Sequence, residues 1–417
     1  MGTQAPEQMG RLELARLGRE YMVAAQFNSR TGYAALRINH GDEAYLQTAI
    51  DNWMGASPVY TRRMQRAMGF AGGSDVATIF KGLQLECGFA HQYFDVHFEV
   101  ESPEEGRFWL ARCGPLLETE PRGEEAVRTM CHDIEDPTFD ATAMATNPRA
   151  RMRPVHRPPR NPADREPHCE WRVFIDRAAQ PLVEPELAGR VAETLLAQVA
   201  IPRPAGLPAG GMEDYSGPLL EQLALERLSQ SALAVVTAEL AVQQHLLINT
   251  LLLVIAGHYG DEAARAVAEF QLTGSGRVVS ERLRRSHAAD LSGIDAVVKV
   301  LSLHPAFQPA AYIELEVERL DAGRARLALG DCPAARDSFA HSWYALLRDG
   351  GDAALASLVQ GADPSARVAR AAPGEMAWEI TLGAEPAAED PLAVQVAKGT
   401  VLYRTRLEDS IPLLEIA

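Results

Sequence analysis

Apolar residues recur at helical spacing through residues 12–36, a stretch rich in Ala, Leu, Arg and Glu, and predict a helix there. Asp42 is placed to cap a following helix. Asp75 is placed to cap the one that carries Val76, Ile79, Phe80 and Leu83. The period then changes from 3.6 to 2: Phe94, Val96, Phe98 and Val100 face one way, Asp95, His97 and Glu99 the other. A turn over 102–106 and a returning strand over 107–112 make a hairpin. A helix is predicted over 124–133, and Asn147-Pro148 breaks the chain. The strand expected over 151–157 contains Pro154 and therefore belongs at a sheet edge. A Pro/Arg-rich loop covers 158–167, an apolar-alternating strand 169–175, and a closing helix 184–199.

The same order of patterns then returns. Gly41-Asp42-Glu43-Ala44 reappears as Gly260-Asp261-Glu262-Ala263, and the strand 96–100 as 313–317. Gly106-Arg107 and Leu110 match Gly323-Arg324 and Leu327; Pro148 and Arg151 match Pro364 and Arg367. Trp171 matches Trp378, and Ile201-Pro202 matches Ile411-Pro412. These ordered matches predict a tandem duplication, with a first repeat over 1–205, a Pro/Gly-rich linker over 206–216 and a second repeat over 217–417. In the second repeat the hairpin turns at 321–323, a helix covers 342–347, the last strand 377–382, and a closing helix 392–407. The expected fold class is α+β: in each repeat a group of helices packs on a small, mainly antiparallel sheet. The two repeats are expected to form a pseudo-dimer.

Composition narrows the partners. Hydrophobic residues make up 47% and charged residues 23%, as in ordinary globular proteins. The net charge of −16 argues against nucleic acid, which needs a basic surface. No signal-peptide pattern opens the chain, and the apolar helix over 232–257 is interrupted by Glu239, Gln243, Gln244 and His245, so a membrane span is not expected. Five cysteines without close pairs suit a reducing compartment, and the expected location is cytoplasmic.

The repeats differ in reactive residues. Cys87, Cys113, Cys131 and Cys169 all lie in the first, and only Cys332 in the second. Aligned without gaps, Cys131-His132-Asp133-Ile134-Glu135-Asp136 meets Leu347-Arg348-Asp349-Gly350-Gly351-Asp352. His168-Cys169-Glu170 meets Glu375-Met376-Ala377. Cys113 has a rough counterpart in Cys332, displaced by two residues. Both Cys131 and Cys169 are expected to point inward. A thiolate is a nucleophile when a neighbour lowers its pKa, and a His-Asp partner can accept and return its proton. Cys and His are also ligands for a divalent transition metal, although these spacings match no compact zinc signature. A free cysteine is as often a small buried hydrophobe. The arginines at 149, 151, 153, 157, 160 and 165 suit a carboxylate or phosphate, or else pair with the acidic excess. Arg151, kept as Arg367, reads as structural.

From Arg112 to Arg172 the chain resembles the family of L-2-amino-thiazoline-4-carboxylic acid hydrolases and their relatives. The residues carrying the resemblance are Arg112-Cys113, Glu120-Pro121, Cys131 with Asp133, Asn147-Pro148 with Arg151 and Arg153, and His168-Cys169-Glu170 with Arg172. The resemblance implies hydrolytic opening of a small ring containing sulfur and nitrogen, or of a related amide bond. Taken with the residues lost in the second repeat, it leaves Cys131, His132, Asp133, His168 and Cys169 as catalytic candidates, with Arg112, Cys113, Arg151, Arg153 and Glu170 around the substrate.

Three readings are open from the sequence. The first is a small-molecule hydrolase acting on a C–N or C–S bond, with its site in the first repeat. The second is a non-catalytic protein that binds a ligand, a metal or haem. The third is an accessory subunit that meets itself or a partner protein through the second repeat.

Overall fold

The structure is a computed structural model that describes residues 8–386 and 390–404. The fold is α+β, with two separate four-stranded antiparallel sheets. In the first half, β1 (Phe94–Ser102), β2 (Glu105–Cys113), β3 (Ala150–His156) and β4 (Cys169–Ile175) lie in the order β1-β2-β4-β3. In the second, β5 (Leu315–Arg319), β6 (Arg324–Leu329), β7 (Ala366–Arg370) and β8 (Ala377–Leu382) lie in the order β5-β6-β8-β7. Pro154 sits on the edge strand β3, where its missing N–H costs no ladder bond.

Each half begins with a long helix that breaks at a glycine. The helix Arg11–Ala67 is interrupted at Gly41 (φ 87°, ψ −176°). The helix Gln230–Tyr259 ends at Gly260 (φ 87°, ψ 168°), and Asp261–Gln271 follows. That backbone region is open essentially to glycine alone. Asp42 pairs with Arg37 across the break, and Asp75 caps the helix Val76–Gln84 by accepting from the Thr78 amide at 2.9 Å. The helix Gln230–Tyr259 has the length and composition to cross a membrane, but 83% of its most apolar window is buried inside this protein. It packs along the first long helix. A helix apolar on every side must be enclosed by other elements.

Trp171 and Trp378 are fully buried at matching places: Trp171 stands opposite Phe108, and Trp378 opposite Leu327. This register corrects the hairpin match. It sets Phe108, not Leu110, beside Leu327, and it puts Gly106 opposite Val173 within the strand, whereas Gly323 lies in the turn. The second hairpin is shorter, so its turn comes earlier relative to the core. On the same register Cys113 and Cys332 coincide without displacement. Cys113 ends β2 and Cys332 follows β6 by three residues, and each forms the N-cap of a short helix with a proline at its start.

The insert between β2 and β3 is more helical than the sequence pattern predicts. Glu124–Arg128 runs into a π-helical turn, Thr129–Ile134, and then into Glu135–Met144. Pro137 follows the π turn by three residues, inside a stretch whose backbone stays helical from 124 to 144. The closing helix over 184–199 is instead two, Glu186–Ala192 and Leu195–Gln198, because Thr194 stops the first and caps the second through the Ala197 amide. Its later equivalent is Leu392–Lys398; residues 405–407 of that expected helix, and Ile411-Pro412, lie outside the described residues. The segment 206–216 has neither helix nor strand but is anchored. Tyr215 is fully buried, its amide bonds the Met68 carbonyl, and its hydroxyl donates to Gln84 at 2.6 Å.

Candidate functional site

A cavity of about 130 Å³ lies between the first sheet and the first long helix. An apolar cavity of roughly 150 Å³ holds one benzene ring. The long helix supplies Arg30, Tyr33, Tyr45 and Trp53. The segment before β1 supplies Glu86 and Phe89, the end of β2 Cys113, and β4 with its preceding residue His168, Cys169 and Trp171. One face of the π-helical turn and the helix after it supplies Met130, Cys131, Ile134, Glu135 and Phe139. A π turn inserts one residue into the helical repeat and re-aims the side chains beyond it, a device frequent at functional sites.

The cavity brings together four of the ten residues singled out from the sequence: Cys113, Cys131, His168 and Cys169. All four are buried. The other six lie elsewhere. His132 bonds the Pro158 carbonyl through Nε2 at 2.7 Å, and Asp133 is exposed. Arg151 ties down the carbonyls of Pro148, Ala150 and Gln180, as Arg367 does those of Ser365, Ala366 and Glu385. Arg153 pairs with Asp140 at 2.8 Å, and Glu170 lies 3.3 Å from Arg107 on the sheet's other face. Arg112 lines a separate surface cleft of about 210 Å³, which shares Leu83, Phe89 and Phe94 with the cavity.

The electrostatics of the cavity are those of a dry site. Burial, with Glu135 nearby, pushes the Cys113 thiol up to about 12 and raises Cys131 and Cys169 as well. The thiols are therefore protonated at neutral pH. Burial lowers His168, whose Nδ1 accepts from the Cys113 amide at 3.2 Å, so the ring is neutral with its proton on Nε2. Among the described residues, no group of three or more His, Cys, Asp or Glu is placed to hold a metal ion.

Three charged side chains in the wall were missed from the sequence. Glu135 is raised by burial to about 8 and receives no hydrogen bond among the described residues. Glu86 is raised by burial to about 7; Tyr60 donates to its Oε1 at 2.6 Å, and its Oε2 is buried without a partner. Arg30 lies 3.4 Å from Glu118 and over the Tyr93 ring at 5.8 Å. Glu135 had a signal in the alignment, since it meets Gly351 and so is as absent from the second half as Cys131. Arg30 and Glu86 sit in helical and loop contexts that carry no sequence mark of a site.

The matching place in the second half is closed. Leu272, Phe307, Ile313, Leu329, Trp343 and Leu347 enclose only about 10 Å³ there. Leu347, the counterpart of Cys131, and Trp343, the counterpart of Val127, fill it. The framework behind both places is the same. Arg157 pairs with Asp136, bonds the Cys131 carbonyl and lies over Trp171 at 5.9 Å. Arg370 pairs with Asp352, bonds the Leu347 carbonyl and lies over Trp378 at 4.7 Å. No family model matches the chain, and no curated protein or solved structure matches it significantly.

Proposed function

We propose that the protein is a tandem duplicate in which the first repeat binds a compact small molecule and the second has become a packing partner. The observation that carries this reading is the contrast between a cavity of about 130 Å³ in the first half and about 10 Å³ at the same place in the second. A pocket with convergent polar groups and perturbed carboxyls is the default place for a ligand. The pseudo-dimer is supported by contacts that repeat with the halves exchanged. Glu118 accepts from the Leu402 amide at 3.0 Å, while Asp337 accepts from the Leu196 amide at 2.8 Å. Thr194 and Thr400 make the same pair of turn bonds, to Val191 and Ala197 and to Ala397 and Tyr403.

A second reading, hydrolysis of a C–N or C–S bond, is favoured by one specific observation. Glu135, raised to about 8, shares the cavity with Cys131. A carboxyl poised near neutral pH can act as general acid or base, and the resemblance over 112–172 implies a small-ring or amide substrate. In this reading Glu135 takes the proton-carrying role expected of His132 or His168.

The test uses benzyl alcohol as a ring-sized neutral probe, read by the fluorescence of Trp53 and Trp171 in the cavity wall. Saturable binding is expected, weakened at least about tenfold by Cys131→Leu, which installs the second half's residue. Binding untouched by that change would place the probe elsewhere and overturn the reading. Turnover of a cyclic thiazoline, lost in Glu135→Gln, would move the conclusion to the hydrolase.

A further inference from the structure

We propose that the first-half cavity is a site for a compact organic cation, an amine about one ring in size, whose charge is met by the carboxyl groups of Glu86 and Glu135. The inference rests on the binding reading above and adds the class of ligand. Two carboxyls in the wall of one small cavity are unusual, because a buried charge without a partner is costly. Neither has a hydrogen-bonded counter-ion: Glu135, partly buried, accepts no hydrogen bond among the described residues and feels Arg157 only through space, and Oε2 of Glu86 is buried without a partner. Buried polar atoms are nearly always satisfied, so the open oxygen of Glu86 calls for a donor, as Nε of Arg30 and Nε1 of Trp171, buried in the same wall without partners, call for an acceptor. An ammonium or amidinium group supplies both the donors and the counter-charge.

The remaining wall fits the same ligand. Tyr33, Tyr45, Trp53, Phe89, Phe139 and Trp171 present ring faces and edges to the space. Aromatic rings attract a cation through their quadrupoles, more strongly when water is excluded. Arg30 is the one wall residue that would oppose a cation; it pairs with Glu118 at 3.4 Å and lies over the Tyr93 ring, while its Nε is buried without a hydrogen-bond partner. Burial raises Glu86 to about 7 and Glu135 to about 8, so the empty cavity is spared much of the cost of two unpaired charges. In the second half, where the cavity is closed, Glu135 is replaced by Gly351 and the strip Glu86-Cys87-Gly88-Phe89 by His304-Pro305-Ala306-Phe307. The cavity and both carboxyls are lost together.

The experiment compares benzylamine with benzyl alcohol, which have nearly the same shape, on the full chain at pH 7. Dissociation constants come from titration calorimetry. Benzylamine is expected to bind at least about tenfold tighter, a difference of roughly 1.4 kcal/mol. Glu135→Gln and Glu86→Gln should each erase most of that preference, with circular dichroism and a urea-unfolding curve reporting that each variant is folded. If the alcohol binds as well as the amine or better, the cation inference is wrong and the cavity reading survives. If neither binds, the cavity reading falls and takes the inference with it. A preference for the amine that persists in both variants would also overturn the assignment to these carboxyls.

Discussion

Arg63 and Glu239, 176 residues apart, form a bidentate ion pair at 2.9 and 2.7 Å, with both side chains less than a tenth exposed. Arg282 and Glu20 form its mirror at 2.7 and 2.9 Å. In each pair the arginine comes from one half and the glutamate from the other, at the offset that relates Gly41 to Gly260. Arg63 also donates to the carbonyls of Ala197 and Val199, so the pair ties the first closing segment to the interface. Removing one partner of such a pair leaves an uncompensated buried charge. Arg63→Met should therefore cost about 3–5 kcal/mol in urea unfolding. The double change Arg63→Met with Glu239→Met should recover much of that loss, because two apolar chains replace two desolvated ions. A double variant no more stable than the single one would show that the carbonyl bonds, not the ion pair, carry the effect.

The helix breaks give a cleaner backbone test. A Cβ at Gly260 would meet nothing within 4 Å, so only its conformation, φ 87°, opposes a side chain. Gly260→Ala should cost about 1–3 kcal/mol from backbone strain alone. Gly257, three residues earlier inside the helix, is equally uncrowded and lacks the positive φ. Gly257→Ala should instead stabilise by about 0.5–1 kcal/mol, through helix propensity. Unfolding midpoints of the two variants should move in opposite directions. Equal shifts would mean that the break at Gly260 is not held by the conformation described.

Local pattern made much of this fold legible. The strand 169–175 and the strand 377–382 were read to the residue, Asp75 was placed as a cap, and Pro154 put its strand at the edge. Each is a property of a few adjacent residues. The site was legible only where it coincided with a difference between the halves, as at Cys131 and Cys169. Arg30 and Glu86 reach the cavity through tertiary packing, which no local period reports. Arg157 and Arg370 fill the same role from unequal positions, Arg370 within its strand and Arg157 just beyond β3, so a linear alignment does not pair them. The hairpin slipped by two residues because the same Gly-Arg dipeptide lies within β2 in the first half and at the turn in the second, where the hairpin is shorter.

The thiols should be slow to react. Cys131 is 2% exposed, and burial holds its thiol protonated well beyond neutral pH. The thiolate is the nucleophile, so a buried thiol of raised pKa is inert. With iodoacetamide at pH 7.5, followed by mass spectrometry of peptides, Cys113, Cys131 and Cys169 should label far more slowly than in urea-unfolded protein. Rapid and selective labelling of Cys131 in the folded chain would contradict this and restore a thiolate nucleophile.

Glu135 sets the sign of a pH effect on stability. Its carboxyl lies at about 8 in the folded protein, raised by burial from the ordinary 4.5. Below pH 4.5 the group is protonated in both states and contributes no difference. Between 4.5 and 8 the unfolded chain releases the proton and the folded one keeps it, so folding becomes less favourable as pH rises. Above 8 both states are ionised and the loss stops growing. Glu86, raised to about 7, acts in the same direction over a narrower window. Glu135→Gln keeps the shape and removes the titration. The variant should match the wild type near pH 4.5, exceed it increasingly up to about pH 8, and hold a constant advantage beyond. Urea unfolding at half-unit pH steps would measure the gap between them. A gap that shrinks over that window would require Glu135 to be ionised and favourably paired in the folded protein, which is the opposite of the environment described.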